Sequence, residues 1–225
     1  MQAWPAGTLT VVMPTLNAAS VLPGSVAALM GQAEIVVADG GSTDGTVDIA
    51  RALGAQVVAG TQGRGRQVAA GIAASRSRWV LLLHADTRLA PGWAMVAAEH
   101  MRVSPGRAGY FRFALDSADP RARRLERAVA WRCRVMALPY GDQGLLIARD
   151  VLDSVGGVRP LPLMEDVDLV RRLGRRRLAL LPVNAVTSAA RWERDGWRRR
   201  SARNLACLAL WYAGVPPSRI ARFYP

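Results

Sequence analysis

Lysine is missing altogether: all 30 basic residues of this 225-residue chain are arginine, set against 17 acidic ones. Positive charge therefore arrives only as planar guanidinium forks, the better geometry for phosphate oxygens wherever one lines a site. Such a bias, beside abundant Ala, Gly and Val, is what a GC-rich genome writes, so part of the net charge of +13 is genomic habit. Cysteine is nearly missing too. Cys133 and Cys207 stand far apart, with no CxxC and no Cys/His ligand spacing. That excludes a disulfide or zinc framework and leaves two reduced, buried thiols in a cytosolic protein. No run reaches the roughly 18 uncharged apolar residues that span a bilayer; the longest candidate, Leu205 to Val215, falls short. The N-terminal segment MQAWPAGTLTVVMPTLN lacks a basic n-region, a long apolar core and a small-residue cleavage site. No secretory signal is expected, and the cytoplasm is the expected location. Internal repeats, linkers and low-complexity tracts are absent as well.

What is present is one domain's worth of chain, long enough to bury roughly 70% of its unfolded surface without staples. Its charge points to nucleic acid, anionic lipid or a phosphorylated substrate. Apolar runs and capping signals predict strands at Thr8 to Met13, Glu34 to Ala38, Gln56 to Ala59 and Trp79 to His84. Helices at Ala18 to Met30, Asp44 to Leu53 and Gly65 to Ser75 alternate with them, which implies a mostly parallel sheet with helices on both faces. The second half is more mixed. Gly109 to Leu115, Asp142 to Ala148, Leu178 to Leu181 and Ala185 to Ala189 read as strands. Pro120 to Leu138, Asp150 to Val155, Glu165 to Leu173, Trp197 to Ala213 and Pro217 to Phe223 read as helices.

Three acidic stations punctuate this pattern. Asp39 follows a buried strand and precedes two glycines, at the carboxyl edge where open α/β sheets build their ligand crevice. Its carboxylate can accept from a base N–H or a ribose hydroxyl, whereas Asp44 reads as a helix cap. His84-Ala85-Asp86 ends the fourth strand, and if that strand continues the imidazole and the carboxylate share a side. Asp86 suits Mg²⁺ or Mn²⁺, which bind phosphate-bearing substrates through one or two carboxylates; His84, if it ligates, favours Mn²⁺. Glu165-Asp166 opens a helix, and of the two carboxylates one need face the cleft as a general base. We assign that role to Asp166. Asp168 is left solvated or paired with Arg171 or Arg172. Between the stations, Gly63-Arg64-Gly65-Arg66-Gln67 brings backbone donors and two forks together, fitting a diphosphate or a nucleobase. Arg191 is placed to clamp a leaving diphosphate and Trp192 to stack on a sugar face or wall off water. His100 reads as structural.

Together these segments resemble the inverting family 2 glycosyltransferases with the GT-A fold. Pro14-Thr15-Leu16-Asn17 looks like that family's opening loop, commonly Pro-X-X-Asn-Glu, and Asp39-Gly-Gly-Ser-Thr-Asp-Gly-Thr is similar to its nucleotide-binding segment. His84-Ala85-Asp86 falls where the family carries Asp-X-Asp, and Glu165-Asp166 where it carries the acidic pair. Ala18 replaces the usual Glu and His84 the first Asp, so only Asp86 carries over as metal ligand. Gly-Arg-Gly-Arg-Gln, His-Ala-Asp, Gly141-Asp142-Gln143-Gly144 and Met164-Glu165-Asp166 look most like a bacterial branch named for arsenosugar biosynthesis or radical-SAM association.

The resemblance implies a single GT-A catalytic domain over 1–225, with a nucleotide-binding half at 1–90, an acceptor-binding half at 91–196 and C-terminal helices at 197–225. It implies a UDP- or GDP-sugar donor held by Pro14, Thr15, Asn17, Asp39, Arg64, Arg66, Asp86 and Arg191. A divalent cation, Mn²⁺ or Mg²⁺, would sit on Asp86, with His84 as a second candidate. Asp142, Gln143, Glu165 and Trp192 would face the acceptor, a small molecule or a lipid-linked one, and Asp166 would deprotonate it. Two rivals remain distinguishable: a nucleotidyltransferase would release pyrophosphate, and a nucleic-acid-binding protein would bind unrelated nucleic acids with steep salt dependence. No nucleic-acid recognition motif is present, so nucleic acid is not the expected partner. The apolar side of Trp197 to Ala213 either packs in the core or lies on the anionic inner face of a membrane.

Overall fold

The computed structural model describes residues 4–223. Residues 1–3 and 224–225, part of the expected 1–225 unit, and of the segment read for a secretory signal in the case of 1–3, lie outside the described residues. The first half alternates as expected: β1 (Leu9–Thr15), α1 (Leu22–Ala27), β2 (Glu34–Asp39), α2 (Thr46–Ala52), β3 (Gln56–Ala59), α3 (Arg64–Ala74) and β4 (Trp79–Leu82). There follow β5 (Thr87–Leu89), α4 (Trp93–Val103), β6 (Ala108–Leu115), α5 (Pro120–Met136), β7 (Leu145–Ala148), α6 (Arg149–Ser154) and α7 (Glu165–Leu173). The chain closes with β8 (Leu178–Thr187), α8 (Ala190–Asp195), α9 (Trp197–Tyr212) and α10 (Pro217–Ile220).

All eight strands join one sheet in the order β3-β2-β1-β4-β7-β6-β8-β5. The β3-β2-β1-β4 half is parallel throughout, and β6 pairs β8 in parallel. β7 and β5 run antiparallel to their neighbours, so the sheet is mixed, with its parallel part on the expected nucleotide side. Alternation along each strand supplies both faces. Val11 and Met13 pack with Leu22 and Val26 of α1 and Trp93 and Ala97 of α4. Val12, Val36 and Val80 turn the other way, toward Ile72 and Ala74 of α3. Gly71 lets α3 come this close, since a Cβ there would run into Val12 Cγ1. A second core gathers Phe113, Leu115 and Ile147 of the sheet with Val129 of α5, Val167 and Val170 of α7 and Leu208 of α9.

Several expected boundaries move, each for a local reason. The helix expected from Ala18 begins at Leu22, after a turn in which the Ala18 and Ala19 N–H groups donate to Thr46 Oγ1 and Asp44. Leu178 to Leu181 and Ala185 to Ala189 are one strand, β8, whose register against β6 slips between Phe111 and Arg112. Pro182 sits in that slip and has no N–H to give the ladder. Asp142 and Gln143, expected to begin a strand, lie in a 3-10 turn (Gly141–Gln143), and β7 starts only after Gly144, at φ 62°. β4 stops at Leu82, two residues short of His84.

Candidate functional site

The loops that leave β1 and β2 are tied into one ledge. Thr15 Oγ1 donates to Asp39 Oδ1 at 2.9 Å, and the Gly40 amide donates to the Thr15 carbonyl at 2.9 Å. Asn17, at φ 50°, accepts from the Thr43 amide through its side chain, while its own amide donates to Ser42 Oγ at 2.8 Å. Buried Gln67 spans both strand ends, its Nε2 donating to the carbonyls of Thr15 at 2.6 Å and Ala38 at 3.0 Å. The sequence reading placed Gln67 only within a phosphate-type loop; its role as a staple has no local signature.

Asp39 is buried and fully engaged. Ser42 Oγ and Thr15 Oγ1 donate to Oδ1, and the Gly41 and Ser42 amides donate to Oδ2. Burial pushes its pKa up, but the bonds from Ser42, Gly41 and Thr15 outweigh that and hold it below the ordinary carboxylate value. Asp39, expected to hold the base or ribose, thus accepts from four donors of the chain and builds the 40–44 loop.

Around α3 the expectations divide. Arg64 faces the central cavity and meets Glu165 Oε1 at 3.6 Å, whereas Arg66 is exposed and does not line it. At the helix N-terminus the Gly65 amide donates to the Leu161 carbonyl at 3.0 Å. Only Gly fits there: a Cβ would stand 2.6 Å from the Leu161 backbone. Of the two expected forks, Arg64 lines the cavity and Arg66 is exposed.

The cavity, about 110 Å³, collects His84, Asp86, Asp142, Asp166, Arg64 and Arg191. Although β4 ends early, His84 and Asp86 both reach it from the following turn. Ser25 Oγ fixes this turn through the Ala85 carbonyl at 2.6 Å, and the Ser188 amide holds the Asp86 carbonyl at 3.0 Å. Arg191, on α8, lies 4.0 Å from Asp86 Oδ2. Burial and the nearby Arg64 charge bring the His84 imidazole down to about 3, against the pull of Asp166, so it is neutral and keeps a lone pair. Among the described residues no group of three His, Cys, Asp or Glu side chains is arranged to hold a metal. Asp86 with neutral His84 nonetheless fits a cation that takes its remaining ligands from substrate phosphate and water.

Asp166 is held by two amides, Gly141 N–H to Oδ2 and Val167 N–H to Oδ1, both at 2.8 Å. The residue before this acidic pair, Met164, has φ 65°, a left-handed conformation uncommon for a non-glycine side chain. Glu165 turns away from the main cavity, toward Arg64 and a small apolar pocket behind Asp166. Burial raises its pKa to about 7, with Arg64 opposing, and its Oε2 has no hydrogen-bond partner among the described residues. Glu165, expected at the acceptor, is thus set against Arg64. Asp168 is buried and paired with Arg172 and Arg159.

The acceptor expectations also divide. Asp142 lines the cavity, and its Oδ1 has no partner among the described residues; burial lifts its pKa to about 6, Arg132 opposing and Asp166 and Asp86 adding to the rise. Gln143 is corrected: it is 2% exposed, donates to the Phe111 carbonyl and accepts from the Tyr140 amide, so it is spent inside the fold. Trp192 lines the cavity, stacked on Trp197 at 5.9 Å with the Arg200 guanidinium 5.4 Å from its ring centre. Helix α9 contributes Arg200, Asn204 and Cys207, none of them foreseen. In a run of arginines, nothing local marks the one that turns inward.

An α/β sheet flanked by helices, with carboxylates gathered beyond its strand ends, defines the GT-A class of nucleotide-diphospho-sugar transferase folds. Residues 10–150 match the model of glycosyl transferase family 2, more than half of the chain. The chain belongs to that family. The match ends ahead of α7, leaving Glu165 and Asp166 outside it. Among solved structures, residues 1–349 of S. aureus TarS superpose with a TM-score of 0.65 at 16% identity, over 81% of this chain and 60% of that one. The chain thus spans less than two thirds of that TarS segment. Glucosyl-3-phosphoglycerate synthase from Mycobacterium tuberculosis, in complex with Mn²⁺ and UDP-glucose, gives 0.63 at 20% identity over 93% and 80%. The same enzyme with Mg²⁺ and UDP gives 0.60 at 20% identity over 79% and 69%. At such identities the likeness is one of fold.

Proposed function

We propose that this protein transfers a sugar from a UDP- or GDP-linked donor to an acceptor hydroxyl with inversion, as a member of the arsenosugar-biosynthesis or radical-SAM-associated branch. The observation that carries the reading is Asp166, fixed by two backbone amides in the cavity that also holds His84, Asp86 and Arg64. Asp166 takes the hydroxyl proton while the acceptor oxygen attacks the anomeric carbon. The bond from that carbon to the diphosphate oxygen breaks, and the diphosphate leaves with the electron pair. One displacement gives inversion. Arg64 and Arg191 offset the charge that grows on the leaving oxygens. A divalent cation, Mn²⁺ or Mg²⁺ on Asp86 and His84, would supply further neutralisation there. The ledge built by Thr15, Asn17 and Asp39, with Pro14 at its root, presents the 40–44 loop to the nucleotide. Asp142 faces the acceptor as a group able to hold a proton near neutrality, and Trp192 walls the cavity. The mycobacterial enzyme of the same fold, solved with UDP-glucose and Mn²⁺, supports the donor and cation classes.

The test is Asp166→Asn, which keeps the shape and one of the two amide contacts while removing the base. UDP binding in the presence of Mn²⁺, read by calorimetry, should persist, and transfer should fall by about 10²–10⁴. Full transfer by this variant refutes the base assignment. Release of free nucleoside diphosphate supports glycosyl transfer; release of pyrophosphate would replace it with nucleotidyl transfer.

A further inference from the structure

Helix α9 is inside out. Two of its polar side chains point into the protein: Arg200 is 6% exposed and, with Asn204, lines the cavity. Its outer side is Ala202, Leu205, Ala206, Ala209 and Tyr212, all exposed, at the i, i+3, i+4, i+7 and i+10 spacing of a single stripe. Leu205 is 67% and Tyr212 48% exposed, so the apolar side is not consumed by the core; Cys207 and Leu208 are the residues that pack inward. Arginine surrounds the stripe. Arg198 and Arg199 are exposed at its start, and the Arg171 guanidinium sits 4.7 Å from the centre of the Tyr212 ring. From Gly196 to Phe223 the sequence carries six arginines and no acidic residue.

We propose that this outer face of α9 docks on an anionic phospholipid surface. Leu205 and the alanines enter the headgroup–acyl boundary, Tyr212 lies at the interface, and Arg198, Arg199 and Arg171 meet lipid phosphates. The charge pattern selects this occupant: a ring of guanidinium groups with no carboxylate on the segment, around an apolar stripe, complements an anionic bilayer. Docking this way sets the catalytic cavity one helix diameter, about 10 Å, from the lipid surface.

Flotation tests this on the whole chain, using vesicles of pure phosphatidylcholine and of an equal mixture with phosphatidylglycerol. The protein should float with the mixed vesicles and not with the pure ones. Leu205→Glu combined with Tyr212→Glu should lower the partition coefficient tenfold or more, the scale set by removing two apolar side chains from the lipid. Arg198→Ala and Arg199→Ala should each lower it about fivefold. An unchanged melting temperature and UDP affinity show that these exposed substitutions leave the fold alone, and Ala202→Glu on the same stripe gives an independent reading. Undiminished binding by the Leu205/Tyr212 variant overturns the proposal, as does failure of the unmodified chain to float. Concentration-dependent self-association that disappears with Leu205→Glu would assign the face to a second copy and overturn it equally. The assay needs no transferase activity, so its outcome stands apart from that of Asp166→Asn.

Discussion

Gly141 is where the candidate base can be displaced without touching it. Its amide donates to Asp166 Oδ2 at 2.8 Å, and its Cα faces the His84 ring so closely that a Cβ would lie 2.9 Å from Cε1 and would overlap Nε2. Real Cβ atoms do not come within 3.0 Å, so in Gly141→Ala either the imidazole or the 3-10 turn must move by several tenths of an ångström. Gly141 is not among the residues with positive φ, so alanine has no backbone objection and the effect is steric. Overpacking of this kind costs about 1–3 kcal/mol, which in a chain of this size lowers Tm by roughly 2–12 °C. If the turn yields, the amide that orients Asp166 goes with it, and misplacement approaching 1 Å lowers kcat by up to about 10²-fold. The decisive assay is the double variant. His84→Ala removes the atoms that clash, so Gly141→Ala should be nearly harmless to Tm in that background, with a coupling energy of about 1–3 kcal/mol. A Gly141→Ala protein with unchanged Tm and kcat, or equal destabilisation with and without the His84 ring, refutes the reasoning.

Two further outcomes follow from the buried polar groups. Glu165 has its pKa raised in the folded state to about 7, so the native protein holds a proton that the unfolded chain has already released between about pH 4.5 and 7. Its contribution to stability is therefore lost as pH rises through that window. The Tm of the unmodified chain should fall relative to Glu165→Gln between pH 5 and 8 (about the range of ordinary buffers), and a pH-independent difference between the two would sink the assignment. Gln143→Ala removes a side chain that bonds Phe111 and Tyr140, and should cost about 1–3 kcal/mol by urea denaturation through the groups it leaves unpaired. Its acceptor KM should be unchanged; a raised KM at normal stability would return Gln143 to the acceptor site.

The alternating half of the fold was legible because each buried strand there is a continuous apolar run ending in a turn signal, as in Glu34-Ile-Val-Val-Ala-Asp. β5 was not legible: three residues are too few to show a period, and it is defined by pairing with β8 and by the Thr87–Thr187 hydroxyl contact. Within the site, Asp86, Asp142, Asp166 and Arg64 reach the cavity their sequence context pointed to. Asp39 and Gln143 sit in equally suggestive motifs and spend hydrogen bonds within the fold, while Arg66 is exposed. Spacing along the chain identifies which residues stand at a strand end. It does not say which of them have already spent their hydrogen bonds on the protein where a partner is distant, as Phe111 is for Gln143, 32 residues away.

By itself, then, the sequence determined the alternating α/β scaffold and the stations at which carboxylates emerge, since both depend on local period and residue type. Tertiary packing alone decided which station faces the cavity, that Arg64 turns in while Arg66 turns out, and that α9 turns Arg200 inward and Leu205 outward. The reason is that burial belongs to a residue's neighbours, and those are chosen by how helices seat on the sheet, a choice no single segment contains.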